Sequence, residues 1–210
     1  MLENNAKQKT YLRYGIIAIC IAVIGLIVWR LDWDILFFIQ NHIRCEFLDV
    51  IVPFYTSLGE DGIIWIALGV IMLIPKKTRK CGIMVLGALL TMLVINNIIL
   101  KNLIARPRPC WSYPEMLELV HMPSSYSFPS GHTVSAFAVA FVVFSQHKKL
   151  GIVTLIMAAI MGLTRLYVFV HFPSDVYGGI IVGFAIACIV CFAEKKISAY
   201  IEKRKEAKAQ

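Results

Sequence analysis

Six stretches of this chain are too apolar and too long for a water-facing surface: residues 13–31, 61–75, 81–100, 132–147, 150–168 and 175–193. A membrane-crossing helix needs about 20 mostly apolar residues, with about 17–25 tolerated. A backbone in hydrocarbon must also satisfy its own N–H and C=O groups, so runs of this length fold as helices. The second run is short and gains length by recruiting the largely apolar 47–58 segment before Gly59. The pattern predicts an all-α, polytopic six-transmembrane-helix bundle, with residues 1–210 forming one membrane-embedded domain. Composition agrees: the chain is 59% hydrophobic and 16% charged, against about 45–50% and about 25% in soluble domains. The first run lacks a small-residue cleavage site after a short apolar core, so it reads as a retained helix. Trp29, Trp33, Tyr55, Trp65 and Tyr167 fall near predicted span ends, where amphipathic rings settle at the headgroup level.

The charges orient the bundle. Lys7, Lys9, Arg13, Lys76, Lys77, Arg79, Lys80, Lys148, Lys149, Lys195, Lys196, Lys203, Arg204, Lys205 and Lys208 all fall on one face, fifteen of the 21 Lys and Arg. Cytoplasmic loops carry the excess of Lys and Arg. The expected topology therefore has both termini in the cytoplasm, with residues 195–210 as a basic cytoplasmic tail at the anionic inner leaflet. The opposite face keeps Arg30, Arg44, Lys101, Arg106, Arg108 and Arg165. The net charge of +8 belongs to this membrane asymmetry. No basic run interleaved with exposed aromatics offers a nucleic-acid surface, so none is expected as a partner. The bilayer itself is the expected environment.

Three polar clusters interrupt the apolar sequence on the exoplasmic side: Lys101 to Pro109, Pro129 to His132, and Thr164 to Asp175. Four of the six basic residues on that face belong to them: Lys101, Arg106, Arg108 and Arg165. With His132, His171 and Asp175 they suit phosphoryl transfer. Cations neutralise phosphate oxygens, one His attacks, the other protonates the leaving oxygen, and the carboxylate orients the attacker. No metal-ligand set is evident, and no cofactor is expected. The clusters fall at helix ends. The Arg-Pro-Arg-Pro run stops the third helix. Ser130 is a good N-cap for the fourth, whose free N–H groups make an anion site, and Gly131 lets a phosphate approach the backbone. Arg106 fits a phosphate, a lipid headgroup or a solvated loop. Asn97, one turn before Lys101, can hydrogen-bond it or join helices.

The remaining features have ordinary readings. Residues 110–128 form a Trp-, Tyr- and Met-containing loop, a lid or an interfacial connector. Gly179 and Gly183 form a small-residue pair for close helix packing. His42, His121 and His147 read as loop residues. Of the six cysteines, those in spans are small apolar filler; Cys45 and Cys110, both outside, are within the chemistry of a pair.

Lys101–Pro109, Pro129–His132 and Thr164–Asp175 resemble, in order and internal spacing, the three-part signature of the type 2 phosphatidic acid phosphatase superfamily, which also includes vanadium-dependent haloperoxidases. The six-helix layout with the signature outside is similar to the bacterial integral-membrane lipid phosphatase branch. One departure is Thr164, where the family usually has Ser; the hydroxyl is kept. The resemblance implies that Lys101, Arg108 and Arg165 bind phosphate, with Ser130 and the Gly131 N–H adding hydrogen bonds. It implies His171 as the nucleophile forming a phosphohistidine, Asp175 holding its Nδ1–H, and His132 as general acid and then base. The expected activity is metal-independent hydrolysis of a membrane lipid phosphate or diphosphate. By analogy with small bacterial members the favoured substrate is polyprenyl (undecaprenyl) diphosphate, with phosphatidylglycerophosphate or phosphatidic acid next. A lipid phosphotransferase and a non-catalytic scaffold or transporter are the readings from other classes.

Overall fold

The computed structural model describes the backbone of residues 2–209 and the side chains of residues 10–207. The side chains of Lys7, Lys9 and Lys208, used above to orient the chain, lie outside the described residues. Among the described residues every regular element is helical. Helix α1 covers Leu2–Arg30, and α2 covers Asp32–Phe38 and runs into a π turn over Ile39–Ile43. Helices α3 (Glu46–Ser57) and α4 (Ile63–Leu73) are joined by a tight turn, Glu60–Gly62. Helix α5 (Arg79–Met92) widens into a π segment, Leu93–Leu100, and continues as α6 (Lys101–Ile104). A short α7 (Pro109–Ser112) precedes α8 (Gly131–Gln146), α9 (Lys148–Tyr167) and α10 (Pro173–Ala209).

Among the described residues, four helices are long and apolar enough to cross a membrane: Thr10–Arg30, Arg79–Ser112, Lys148–Tyr167 and Pro173–Ala207. Glu46–Ser57 and Glu60–Leu73 pass the same test together, as one span bent by 49°. This is the recruitment expected before Gly59. The bend is local: Asp61 and Gly62 both take left-handed backbone conformations, φ 50° and 74°, which Gly adopts without steric cost and Asp tolerates better than most residues. Helix α8 is apolar but has only 16 residues. The molecule is an all-helical, multi-pass membrane protein.

Helix α8 is the hub, packed against α5, α9 and α10. Most of its residues from Thr133 to Val143 are buried, as expected of a helix apolar all round. In lipid, association rests on close packing, which favours small residues. A Cβ on Gly179 would lie 2.8 Å from Thr133 Cβ, and one on Gly183 would lie 2.9 Å from the Ala138 nitrogen. The expected small-residue pair is thus the contact between α10 and α8. Helix α1 packs lightly, against α10 and α2, with its apolar window unburied; its Ile21 O accepts from the Tyr177 hydroxyl.

Several aromatic assignments change. Trp65 is fully buried in the core, not interfacial. Tyr55 donates to Met157 O on α9, and Tyr167 is buried with its hydroxyl 2.7 Å from Asp49 Oδ1. Cys45 and Cys110 are both free, one exposed and one buried, and do not form a pair.

Candidate active site at converging helix ends

An open cleft of about 1170 Å³ is lined by the α3–α4 turn, the π segment with α6, the loop from Glu118 to Ser125, the start of α8 and the end of α9. Lys101, Arg108, Gly131, His132, Arg165, His171 and Asn97 all line it. Ser130 and Asp175 stand behind them, completely buried.

Helix α9 ends at Tyr167, and Phe169 turns the chain with a positive φ of 59° before Pro173 opens α10. This short corner puts Arg165, His171 and Asp175 together. His171 Nε2 lies 3.0 Å from Arg108 Nη1. A guanidinium only donates, so Nε2 is the accepting nitrogen and the ring proton sits on Nδ1. The Nδ1 is 3.3 Å from Ser127 Oγ and 3.5 Å from Asp175 Oδ2. Ser127 in turn donates to that same Oδ2 at 2.5 Å. The direct Asp175–His171 bond expected from sequence is therefore shared: a hydroxyl sits between, accepting from one and donating to the other. Asp175 is held further by the Phe172 N–H at 2.8 Å and by Arg106 Nη1 at 2.7 Å. Burial, and then the charges of Arg108, Arg165 and Lys101, push the His171 imidazole well below its usual range, against a smaller opposing effect of Ser127. The ring is neutral, and its Nε2 electron pair, which accepts from Arg108 here, is the one that can attack once that guanidinium turns to a phosphate.

The three cations are braced by neighbours. Arg108 donates through Nε to Ser125 O at 2.6 Å, through Nη2 to Ser125 Oγ at 3.0 Å and through Nη1 to Val170 O at 3.0 Å. Lys101 Nζ reaches the same Ser125 hydroxyl at 3.0 Å. Arg165 Nη1 donates to Thr56 Oγ1 at 2.6 Å, while its Nε is buried with no partner. A buried donor left in this state is costly and calls for an acceptor. Ser130 occupies the N-cap position of α8, but its side chain makes no cap bond. Its Oγ accepts from Thr133 Oγ1 at 3.0 Å instead. The His132 ring lies in the cleft against Gly59: a Cβ there would sit 2.8 Å from its Cδ2 and 2.7 Å from the Met161 sulfur.

Two candidates are placed elsewhere, and Asn97, though it lines the cleft, does not meet Lys101. Arg106 points away from the cleft, in ion pairs with Asp32 at 2.7 Å and Asp175 at 2.7 Å; two carboxylates outcompete a solvated position. Thr164 bonds back to Met161 O at 2.7 Å and to Thr56 Oγ1 at 3.1 Å, bracing the partner of Arg165. Asn97 accepts from Asn96 Nδ2 at 2.8 Å, and Lys101 bonds Ser125 rather than Asn97. His121, read as an ordinary loop residue, lines the cleft. Sequence reasoning missed Asp32, Thr56, Gly59, Ser125 and Ser127. Only the two serines lay beside a recognised cluster; the others are distant in sequence. Among the described residues no group of three or more His, Cys, Asp or Glu side chains is placed to hold a metal ion.

A family model described as the PAP2 superfamily matches residues 81–197. The chain is 30% identical over 148 residues to the bacitracin transport permease protein BcrC of Bacillus licheniformis, covering 70% of this chain and 73% of the relative. It is 32% identical over 150 residues to an undecaprenyl-diphosphatase of Sulfolobus acidocaldarius, covering 70% and 71%. Among solved structures it is similar to a transmembrane PAP2 type phosphatidylglycerolphosphate phosphatase from Bacillus subtilis. The TM-score is 0.66 and the identity 28%, over 85% of this chain and 96% of that one.

Proposed function

Since this chain belongs to the PAP2 superfamily, we propose that it is a lipid phosphate phosphatase acting on a polyprenyl diphosphate such as the undecaprenyl carrier. The observation that carries the reading is His171, its unprotonated Nε2 set among Lys101, Arg108 and Arg165 at the cleft. Nε2 attacks the terminal phosphorus, and the bond from phosphorus to the bridging oxygen breaks. His132, which takes up a proton as the anionic diphosphate offsets the charges of Arg165, Lys101 and Arg108 around it, gives that proton to the bridging oxygen, and the lipid leaves as its monophosphate. Water then attacks the phosphohistidine, His132 takes its proton, and inorganic phosphate departs. The three cations and the start of α8 neutralise the charge on the phosphoryl oxygens. Ser127 and Asp175 steady the positive charge that develops on His171. Beyond the polar end the cleft continues along Ile66, Leu86, Leu89, Leu90 and Leu93, a wall suited to a prenyl chain.

The test is phosphate release by the purified protein in detergent with excess EDTA, from undecaprenyl diphosphate, phosphatidylglycerophosphate and phosphatidic acid. The fastest release is expected from the diphosphate. Faster release from phosphatidylglycerophosphate would move the substrate to the second reading, which the structural relative's activity favours. Transfer of the phosphate to a second lipid instead of water would make the protein a phosphotransferase. No reaction at all would favour a transporter, the function in the name of one relative.

In this reading α8 counts as a sixth span, both termini are cytoplasmic and the cleft opens outward. The basic asymmetry of the loops supports that orientation. In a cysteine-free background, a single cysteine replacing the exposed Met122 should react with an impermeant thiol reagent in intact cells, and one replacing the exposed Lys76 should not. The reverse pattern would place the cleft on the cytoplasmic side.

Gly59 gives a sharper test of His132. Gly59→Ala forces the His132 ring or the Met161 thioether to move. A displaced acid hurts only a leaving group that needs a proton. We expect turnover of the lipid substrate to fall by about 10²-fold, within the usual contribution of acid–base catalysis. The burst of nitrophenolate from p-nitrophenyl phosphate, which reports phosphohistidine formation alone and a leaving group that departs unprotonated, should slow less than about threefold. A burst slowed as much as phosphohistidine formation from the lipid would mean that the ring does not serve as the acid.

A further inference from the structure

Asp32 lies on α2, outside residues 81–197 that carry the family match and about 70 residues before the first polar cluster. It is nevertheless almost fully buried. Its Oδ1 accepts the Ser174 N–H at 2.8 Å, and its Oδ2 accepts the Ser174 hydroxyl at 2.6 Å and Arg106 Nη2 at 2.7 Å. The other arm of the Arg106 fork donates to Asp175 Oδ1 at 2.7 Å. Asp175 Oδ2 meets Ser127, which meets His171 Nδ1. The guanidinium is kept in plane by Phe172, whose ring centroid lies 4.2 Å from Arg106 Cζ. Trp33, next to Asp32, packs edge-on against that same ring at 4.9 Å.

We propose that Asp32 is a positioning residue for the reaction, acting through Arg106 on Asp175 and so on the attacking His171. Two effects follow from the geometry. A guanidinium with five donors in a fixed fork is oriented only when both arms are engaged; Asp32 engages the arm that Asp175 does not. The charges also matter. Asp32, Arg106 and Asp175 together carry one net negative charge, which faces the imidazole. Without the Asp32 charge, Arg106 would cancel Asp175, and the positive charge developing on His171 would lose its counterpart. Asp32 touches neither substrate nor reacting atoms, so its loss should be felt in turnover far more than in substrate affinity. The proposal rests on His171 as nucleophile, and the experiment separates the two.

The experiment is a double-mutant cycle on purified protein of matched thermal midpoint, read as kcat and KM for lipid phosphate hydrolysis. Asp32→Asn should lower kcat by about 10- to 100-fold with KM within about threefold of the parent. Asp175→Asn should lower kcat much further. The double variant should equal Asp175→Asn within about threefold, because residues acting through one another are not additive. A double variant lower than Asp175→Asn by the whole Asp32→Asn factor would overturn the proposal, and so would an Asp32→Asn kcat within threefold of the parent. An Asp175→Asn variant with parental kcat would instead sink the His171 reading itself. Should Asp32→Asn not be recovered as a monodisperse protein, Ser174→Ala removes the hydroxyl that Asp32 and Arg106 share. It should cost about three- to tenfold in kcat, again only while Asp175 is intact; no loss, or an additive loss, would overturn the proposal.

Discussion

His171→Ala is expected to abolish turnover, lowering kcat on the order of 10⁴- to 10⁶-fold, as nucleophile removal does in other covalent mechanisms. His132 lies against Gly59 and Met161. The cleft's other possible nucleophiles, His121, Glu60, Asp61 and Glu118, line it, but none is hydrogen-bonded to Arg108 as His171 is. Quenching the reaction with a radiolabelled lipid phosphate should leave acid-labile label on the parent protein and none on the variant. Undiminished labelling of His171→Ala would assign the covalent step to another residue. The substitution also removes an acceptor from buried Arg108, so some loss of thermal stability is expected alongside. The label separates the two effects, because a merely loosened site would still be labelled.

Arg108→Lys should be nearly as damaging despite keeping its charge. The guanidinium reaches Ser125 O, Ser125 Oγ, Val170 O and His171 Nε2 from three different nitrogens. An ammonium has one nitrogen and cannot span them. Its arm to His171 also fixes which ring nitrogen is free, so the change disturbs both phosphate binding and the attacking tautomer. The expected loss in kcat is about 10²- to 10³-fold, the cost of removing one well-placed donor to a developing charge. Inhibition by orthovanadate, a mimic of the five-coordinate phosphorus, should weaken in parallel. A variant within tenfold of the parent in turnover and in vanadate inhibition would show that charge alone suffices at this position.

The two predictions draw on parts of the molecule that differed in how plainly the sequence announced them. The helices were legible because lipid leaves a chain no other option: long apolar runs must close their own hydrogen bonds. Even the bent second span could be anticipated, since residues 47–58 are apolar up to Gly59. The clefts' cations and histidines were legible because charge is expensive at a helix end in a membrane and therefore conspicuous. What stayed hidden were the uncharged or distant partners. Ser127 is one serine among several beside Pro129, and nothing in its local sequence says that it sits between an imidazole and a carboxylate. Thr56 and Gly59 come from a helix pair that reads simply as apolar. Asp32 lies far from every polar cluster in the sequence and invites no reading, and Arg106 fits a phosphate, a headgroup or a solvated loop; only the fold brings them to within a hydrogen bond. Arg106 shows the limit most clearly, since its neighbours Lys101 and Arg108 face the cleft while it faces backward to two carboxylates.

The widened segment Leu93–Leu100 has its own bearing on the molecule. A π turn holds one more residue than the α turn it replaces, and such insertions recur at functional sites. Here it lies immediately before Lys101, so it sets the azimuth at which that ammonium leaves the rod. Rewinding it to regular α geometry with every residue kept would release that extra residue and carry everything beyond it round by about 100°. Lys101 would then leave the cleft, although all its neighbours in sequence would be intact. Spacing between the first and second polar clusters is thus only part of what places the cation. The winding of the helix beneath it is the other part, and the same sequence wound as a regular α-helix would keep its span and lose its aim.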